Sequence, residues 1–300
     1  MSEEASGPLE ALDHVVIAVR DLASAADDYA AFLGRKPSWY GEHPDFGTAN
    51  VLFRLGNAYV ELLAPVREAP FADVLRARLD AGGEGLWALA FRCADADACA
   101  AELRRRGLHP FDPAAGSGRE SRIGAERRWR NLFLPDDETR GIPLFAIEHL
   151  SPPDALPLAE PTGDGSAAVA ELDHVVVLTK DADSTRQLYG DRLGIRLALD
   201  RTFEKFGSRL LFFRLGGITI EAGASLGAAV EPERPDALWG VAYRVPDVTR
   251  SQARIAAAGI DVSEVRKGRK EGTRVCTVRG GTHGVATLLI GPGGPEAARL

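Results

Sequence analysis

Two polar residues recur at one spacing in this chain: His14 with Glu61, and His174 with Glu221. An imidazole and a carboxylate brought together can ligate a metal ion, move a proton, or simply hydrogen-bond to each other. The segment carrying the first histidine, Leu12-Asp13-His14-Val15-Val16, returns as Leu172-Asp173-His174-Val175-Val176. The same offset of 160 residues matches Tyr29 to Tyr189, Gly34 to Gly194, and Phe53-Arg54-Leu55-Gly56 to Phe213-Arg214-Leu215-Gly216. A second register, offset by 152, matches Trp87, Ala90, Arg92, Asp95 and Gly107 to Trp239, Ala242, Arg244, Asp247 and Gly259. The candidate chemistry therefore sits inside an internal duplication.

The elements around these residues follow from their periodicity. Leu12 to Val19 is short, apolar and β-branched, and reads as a strand. Asp21 to Leu33 has helical spacing, with Leu22, Ala26, Tyr29, Ala30 and Leu33 on one stripe and Gly34 as its C-terminal stop. Strand-like runs follow near Pro37–Tyr40, Ala49–Leu55 and Ala58–Leu63, with Gly56-Asn57 as a turn. The unit is βαβββ, and four units are expected: A (10–66), B (85–152), C (171–226) and D (238–292). They make a first domain over 10–150 and a second over 171–292. The Pro-, Gly- and Ala-rich stretch 151–170 reads as the linker. Alternation puts His14, Val16 and Ala18 on one strand face, and Tyr59, Glu61 and Leu63 on one face of another. One polar residue from each strand can then reach a common concave side.

Four βαβββ units, the opening LDHVV, a helix ending Tyr…Leu-Gly and the strand Tyr59-Val-Glu-Leu-Leu-Ala-Pro resemble the vicinal oxygen chelate superfamily, which includes glyoxalase I, methylmalonyl-CoA epimerase, extradiol dioxygenases and bleomycin-resistance proteins. The segment from His43 to Asn50 resembles its glyoxalase-like subgroup. The resemblance implies an α+β fold: four modules forming two cup-shaped mixed β-sheets with helices on the convex side. It implies metal ligands on the first and fourth strands of each module. Carried over by position, these are His14, Glu61 and Glu148 in the first domain, with Ala88 at the fourth place. The second domain offers His174 and Glu221, with Gly240 and Leu288 at the other two places. An imidazole and two carboxylates would suit a divalent Fe, Mn, Zn, Ni or Mg ion. In that reading Glu148 can also leave the metal and act as a base. His149 follows Glu148 and is expected on the opposite face, which disfavours a two-histidine iron triad.

The resemblance implies a metal-dependent lyase or isomerase acting on a small oxygenated metabolite, with a dioxygenase as second choice. The alternative is a metal-free protein that binds and sequesters a small molecule, as bleomycin-resistance proteins do. Candidate substrate contacts are Trp87, Arg128, Arg130 and His43. Trp87 would give an apolar wall, Arg128 and Arg130 would flank Trp129 and face the cup, and His43 would reach in from a loop. The two arginines belong to a basic cluster, Arg119, Arg122, Arg127, Arg128 and Arg130, able to meet an anionic group. A net charge of −7 argues against a nucleic-acid partner. No apolar run would span a bilayer, the first residues are acidic rather than signal-like, and three cysteines form no ligand cluster. A cytoplasmic monomer or homodimer is expected. There is no phosphate-binding glycine loop, nucleophile elbow or Cys–His pair.

Overall fold

The computed structural model describes residues 7–122 and 124–293. Each half of the chain forms one eight-stranded mixed sheet, the α+β arrangement expected from the sequence. In the first half, β1 (Ala11–Ala18) leads into α1 (Leu22–Leu33), then β2 (Trp39–His43), β3 (Thr48–Arg54) and β4 (Tyr59–Pro65). Helix α2 (Pro70–Gly82) comes next, followed by β5 (Gly85–Arg92), α3 (Ala96–Arg105), β6 (Ala114–Glu120), β7 (Glu126–Phe133) and β8 (Leu144–His149). The second half runs β9 (Glu171–Thr179), α4 (Ala182–Arg186), β10 (Arg196–Phe203), β11 (Ser208–Leu215), β12 (Ile218–Ser225), β13 (Ala237–Arg244), α5 (Val248–Ala257), β14 (Arg266–Lys267), β15 (Thr273–Val278) and β16 (Ala286–Pro292).

Local signals explain the elements. Asp21 caps α1 by accepting from the backbone of Ala23 and Ser24, and Gly34 closes it in the left-handed region at φ 66°. The helix buries Ala25, Ala26, Tyr29, Phe32 and Leu33 against the convex side of the sheet. On β1, Leu12, Val15 and Ile17 join that core, while His14, Val16 and Ala18 turn to the other face. A register shift between Leu12 and His14 marks a bulge at Asp13.

The two sheets share an order but not a closure. The first runs β1-β4-β3-β2-β6-β7-β8-β5 and closes into a barrel. Its pairs β1–β4 and β5–β8 are parallel. The seam is the β2–β6 pair, with Gly41 opposite Glu120 and Glu42 opposite Arg119. The second sheet runs β10-β11-β12-β9-β13-β16-β15-β14 and stays open, ending on β10 and the two-residue β14.

Helix α2 is an element the periodicity reading passed over. It carries Pro at its first turn and sends Leu75 and Leu79 onto Val16, Ala18, Leu63 and Ala88. Those four residues belong to the inner face, so α2 closes one end of the barrel instead of covering its convex side. The corresponding stretch of the second half, residues 226–236, holds turns and bends and no helix. At the other end of the barrel, Leu156 packs on Trp39, Leu52 and Tyr59. It is held there by Arg54, which donates to the carbonyls of Pro153 and Leu156.

The segment between the sheets is tied down by arginines. Arg35 donates to the carbonyls of Ala159 and Val169, and Arg254 donates to those of Ala31, Phe32 and Ala167. All three cysteines are buried and unpaired. No helix among the described residues is long and apolar enough to cross a membrane.

If α2 closes the barrel by burial, truncating its inner face should cost core energy. Leu79→Ala, at a fully buried position, is expected to lower the unfolding free energy by roughly 2–4 kcal/mol. Val74→Ala on the exposed side of the same helix should change it by less than about 0.5 kcal/mol. Urea titrations of the two variants against the parent check both values.

Candidate functional site

The closed barrel holds a cavity of about 540 Å³ that opens to solvent past the exposed side chains of Phe46, Val74 and Phe111. Its walls are mainly apolar: Val16, Leu52, Leu63, Phe71, Trp87, Ala88, Trp129, Phe133, Phe145 and Ile147. The polar groups that reach it include His14, His43, Thr48, Asn50, Tyr59, Glu61, Arg127 and Asn131. A few placed polar groups in an apolar enclosure is the usual make-up of a small-molecule site.

His14 is the best-fixed of them. Its Nδ1 lies 2.8 Å from Asp13 Oδ1, which leaves Nε2 facing Glu61 Oε2 at 3.4 Å. The imidazole stacks on the Tyr59 ring at 4.3 Å and meets the edge of Phe145. Glu61 Oε1 accepts from Asn50 Nδ2 at 2.7 Å, so only Oε2 remains toward His14. Asp13, itself 3% exposed, also receives Arg92 Nε at 3.3 Å and His149 Nε2 at 2.9 Å. A carboxylate on the rear nitrogen fixes the orientation of the ring and raises its basicity.

These contacts shift the titrations in opposite directions. Burial acts against charge on His14, but hydrogen bonds to Asp13 and Glu61 outweigh it and raise its pKa. Glu61 is pushed up by burial and pulled further down by His14, ending below the ordinary carboxylate value. Asp13 follows the same pattern and ends far below it, its burial overcome by His14 and His149. The arrangement thus favours an imidazolium facing a carboxylate. Burial pushes the His43 pKa down, which favours its neutral form.

The structure brings some of the expected residues together and separates others. His14 and Glu61 converge, and Trp87 lines the cavity against Phe71, with ring centroids 5.7 Å apart. His43 also lines it, but as the last residue of β2 instead of a loop residue, with its Nδ1 3.1 Å from Thr48 Oγ1. Glu148 does not reach the cavity. It lies on the other face of β8, accepting from the backbone of Ala96 at the start of α3 and from Arg130. Alternation places Phe145, Ile147 and His149 together instead. The phase assumed for β8 was therefore inverted, and His149, expected outside, is the residue that bonds Asp13. The same correction applies to β7. Arg127, Trp129, Asn131 and Phe133 point inward, so Arg128 and Arg130 point out. Arg130 is held by Asp97 at 2.8 and 3.0 Å, and Arg128 is exposed.

In the second half, His174 Nδ1 also lies 2.8 Å from its own neighbour, Asp173 Oδ1, and Arg244 binds that carboxylate at 2.9 Å. The Asp173 pKa is lowered to about 2, burial being outweighed by His174 and Arg244. Among the described residues His174 and Glu221 form no ion pair, and Trp239, the counterpart of Trp87, is 54% exposed. The motif is repeated there without the enclosure.

The expected three-donor metal set is not assembled. Positions on β5 and β8 facing His14 and Glu61 are occupied by Ala88 and Phe145, and Glu148 faces away. Among the described residues no group of three His, Cys, Asp or Glu side chains is placed to hold a metal ion. Two protein donors, one of them engaged by Asn50, do not fit the three protein ligands of an open catalytic metal site.

Comparison with known proteins gives the site its context. A family model described as a glyoxalase-like domain matches residues 12–171. A second, for the glyoxalase/bleomycin resistance protein/dioxygenase superfamily, matches 173–277. The chain is similar to the ethylmalonyl-CoA/methylmalonyl-CoA epimerase of Cereibacter sphaeroides, 35% identical over 127 residues, covering 42% of this chain and 89% of that protein. It is also similar to the mitochondrial methylmalonyl-CoA epimerase of Homo sapiens, 42% identical over 73 residues. That match covers 24% of this chain and less than half, 41%, of the human protein. Among solved structures, a variant of 4-hydroxymandelate synthase from Streptomyces coelicolor superposes with a TM-score of 0.68 at 16% identity, covering 97% of this chain and 94% of that one. The Mn(II)-bound glyoxalase from Novosphingobium aromaticivorans gives 0.62 at 15% identity, covering 95% and 83%. At these identities the structural likeness concerns the fold.

The Asp13–His14 contact yields a titration prediction. Asp13→Asn should move the His14 titration, followed by NMR of the imidazole, to lower pH, because burial then acts with less opposition. The parent should also lose stability relative to Asp13→Asn as the pH falls below about 4. A carboxyl whose pKa is depressed by folding stabilises above its unfolded pKa and stops doing so as it protonates. Near neutrality the variant should be about 2–3 kcal/mol less stable, the usual loss for a buried hydrogen bond to a charged partner.

Proposed function

The chain belongs to the glyoxalase-like domain family of the vicinal oxygen chelate superfamily, and from that membership we propose that its first half is an enzyme moving a proton at a carbon beside a carbonyl group. The reaction class is isomerase- or lyase-type, and the substrate is a small oxygenated metabolite. The observation that carries this reading is the facing pair of buried groups His14 Nε2 and Glu61 Oε2, 3.4 Å apart in a mainly apolar cavity. Support also comes from the similarity to an epimerase over most of that relative's length. Epimerisation beside a carbonyl removes and returns a proton at one carbon.

The residues divide the work as follows. Glu61, ionised and with Oε1 occupied by Asn50, uses Oε2 to take the proton as the C–H bond breaks. The electron pair moves onto the substrate oxygen as an enolate. The Nε2–H of the His14 imidazolium donates a hydrogen bond to that oxygen as its charge develops. Asp13 holds Nδ1, so the ring keeps Nε2 turned to the substrate. Returning the proton to the carbon completes an isomerisation, and loss of a group from the adjacent carbon gives a lyase outcome. Tyr59, stacked on His14, shields the pair from water. The donor set does not fit a metal, and no step here uses one.

The reading is tested by incubating the full-length protein in D2O with a panel of carbonyl compounds bearing an acidic α-hydrogen, and following deuterium uptake by NMR. Uptake is expected for at least one compound, to be unaffected by EDTA, and to fall about 10²–10⁴-fold in Glu61→Gln and in His14→Ala. No uptake from any compound, or uptake that survives Glu61→Gln, overturns the enzyme assignment. A metal-free binding role is favoured by the apolar residues at two of the four ligand positions. It would appear in the same experiment as ligand affinity without exchange.

A further inference from the structure

Among the described residues, Arg127 has no carboxylate counter-ion. It is 7% exposed and lines the cavity. Its guanidinium carbon lies 5.6, 5.8 and 5.9 Å from the ring centroids of Trp39, Tyr59 and Trp129. The Tyr59 phenol beside it is neutral, since burial pushes its pKa well up. No carboxylate among the described residues comes within 4 Å of the guanidinium. Other arginines of the same half are paired: Arg92 with Asp13, Arg122 with Glu120, and Arg130 with Asp97 and Glu148.

Aromatic faces attract a cation, but they do not replace the water and the counter-ion it gives up on burial. A buried charge left unpaired by the protein is retained at a cost to stability, and the group best placed to offset that cost enters from the cavity. From this geometry we infer that the cavity takes a monoanionic ligand, a small carboxylate with an apolar or aromatic body, and that Arg127 binds its carboxylate. A guanidinium matches a carboxylate in shape and charge, donating two parallel N–H bonds. The Trp129 indole, which lines the cavity, would lie along the apolar body. The inference rests on the proposed site being this cavity and specifies its substrate class. Tyr59 touches both centres: its ring stacks on His14 and lies below Arg127. The ligand's carboxylate and its reacting carbon are therefore held near one ring. Asn131, whose Oδ1 is buried without a partner, supplies a hydrogen-bond acceptor on the same strand as Arg127.

The test compares matched charged and neutral probes on the full-length protein. Trp39 and Trp129 beside Arg127 report binding by fluorescence quenching. Phenylacetate and hexanoate are titrated alongside phenylacetamide and hexanamide. At least one carboxylate is expected to bind about tenfold or more tighter than its amide. In Arg127→Gln that ratio should collapse to within about twofold with the amide affinity kept, and Arg127→Lys should retain part of it. The melting temperature of ligand-free Arg127→Met should be unchanged or higher, since an unpaired buried charge has been removed. The inference is overturned by the absence of a carboxylate preference, by a preference that survives Arg127→Gln, by failure of all four probes to quench, or by a fall in melting temperature in Arg127→Met. Glu61→Gln separates this inference from the catalytic reading. It should abolish deuterium uptake while leaving the carboxylate preference in place, so exchange and anion recognition can fail independently.

Discussion

The first half of this molecule depends on one seam, the hydrogen bonding of β2 to β6. Where Gly41 meets Glu120 and Glu42 meets Arg119, the first sheet becomes a barrel and its concave face becomes an interior. Small residues make the seam possible. A side chain at Gly41 would strike the Trp39 indole and the Asn50 amide, one at Gly116 would strike Trp129, and one at Gly118 would crowd the same indole. The glycines give up strand propensity so that two tryptophans can lie across the closure. Once closed, the barrel removes water from His14 and Glu61, and a 3.4 Å approach that would matter little at the surface becomes a strong mutual influence.

The duplication supplies an internal comparison. Both halves keep the Asp–His step, with each aspartate also bound by an arginine from the strand next to it. Asp–His geometry alone therefore does not distinguish the two halves. The difference lies in what surrounds it. In the first half the histidine is almost fully buried and faces a glutamate; in the second it is partly exposed, on a sheet that stays open between β10 and β14. The same short motif has different electrostatic consequences because the long-range pairing differs.

Much of this was legible in the sequence, and the limits have physical causes. The duplication and the βαβββ order follow from short-range periodicity, and the inward faces of β1 and β4 follow from alternation starting at well-defined strand beginnings. Alternation is unforgiving about phase, however. On β8 and β7 an assumed register shifted by one residue put Glu148, Arg128 and Arg130 in the cup, where the chain places Ile147, Arg127 and Trp129. A signal was available. Phe145 and Ile147 are the apolar members of one face of β8, and Glu148 stands on the other, two residues past an alanine buried in the convex core. Helix α2 was missed because its polar face is strong and its inner stripe is only Ala72, Leu75 and Leu79. Closure of the barrel depends on pairing between distant segments, which a local pattern does not contain.

That missed helix bears on why the mainly apolar cavity lies in the first half. Without α2, the inner face formed by Val16, Ala18, Leu63 and Ala88 would open to water at one end of the barrel. The second half has a turn-rich stretch at the corresponding place, and Leu178 on β9 and Trp239 on β13 are both exposed. An added helix between two repeats is a simple way to differentiate them. It leaves the Asp–His motif unchanged and alters the dielectric around it. In the first half the result is an apolar interior holding a buried histidine, a glutamate and an arginine without a carboxylate partner among the described residues, groups that an exposed sheet would leave hydrated and far less strongly coupled. The chemistry of this chain is thus set less by which polar residues the repeats retained than by which repeat acquired the elements that exclude water from them.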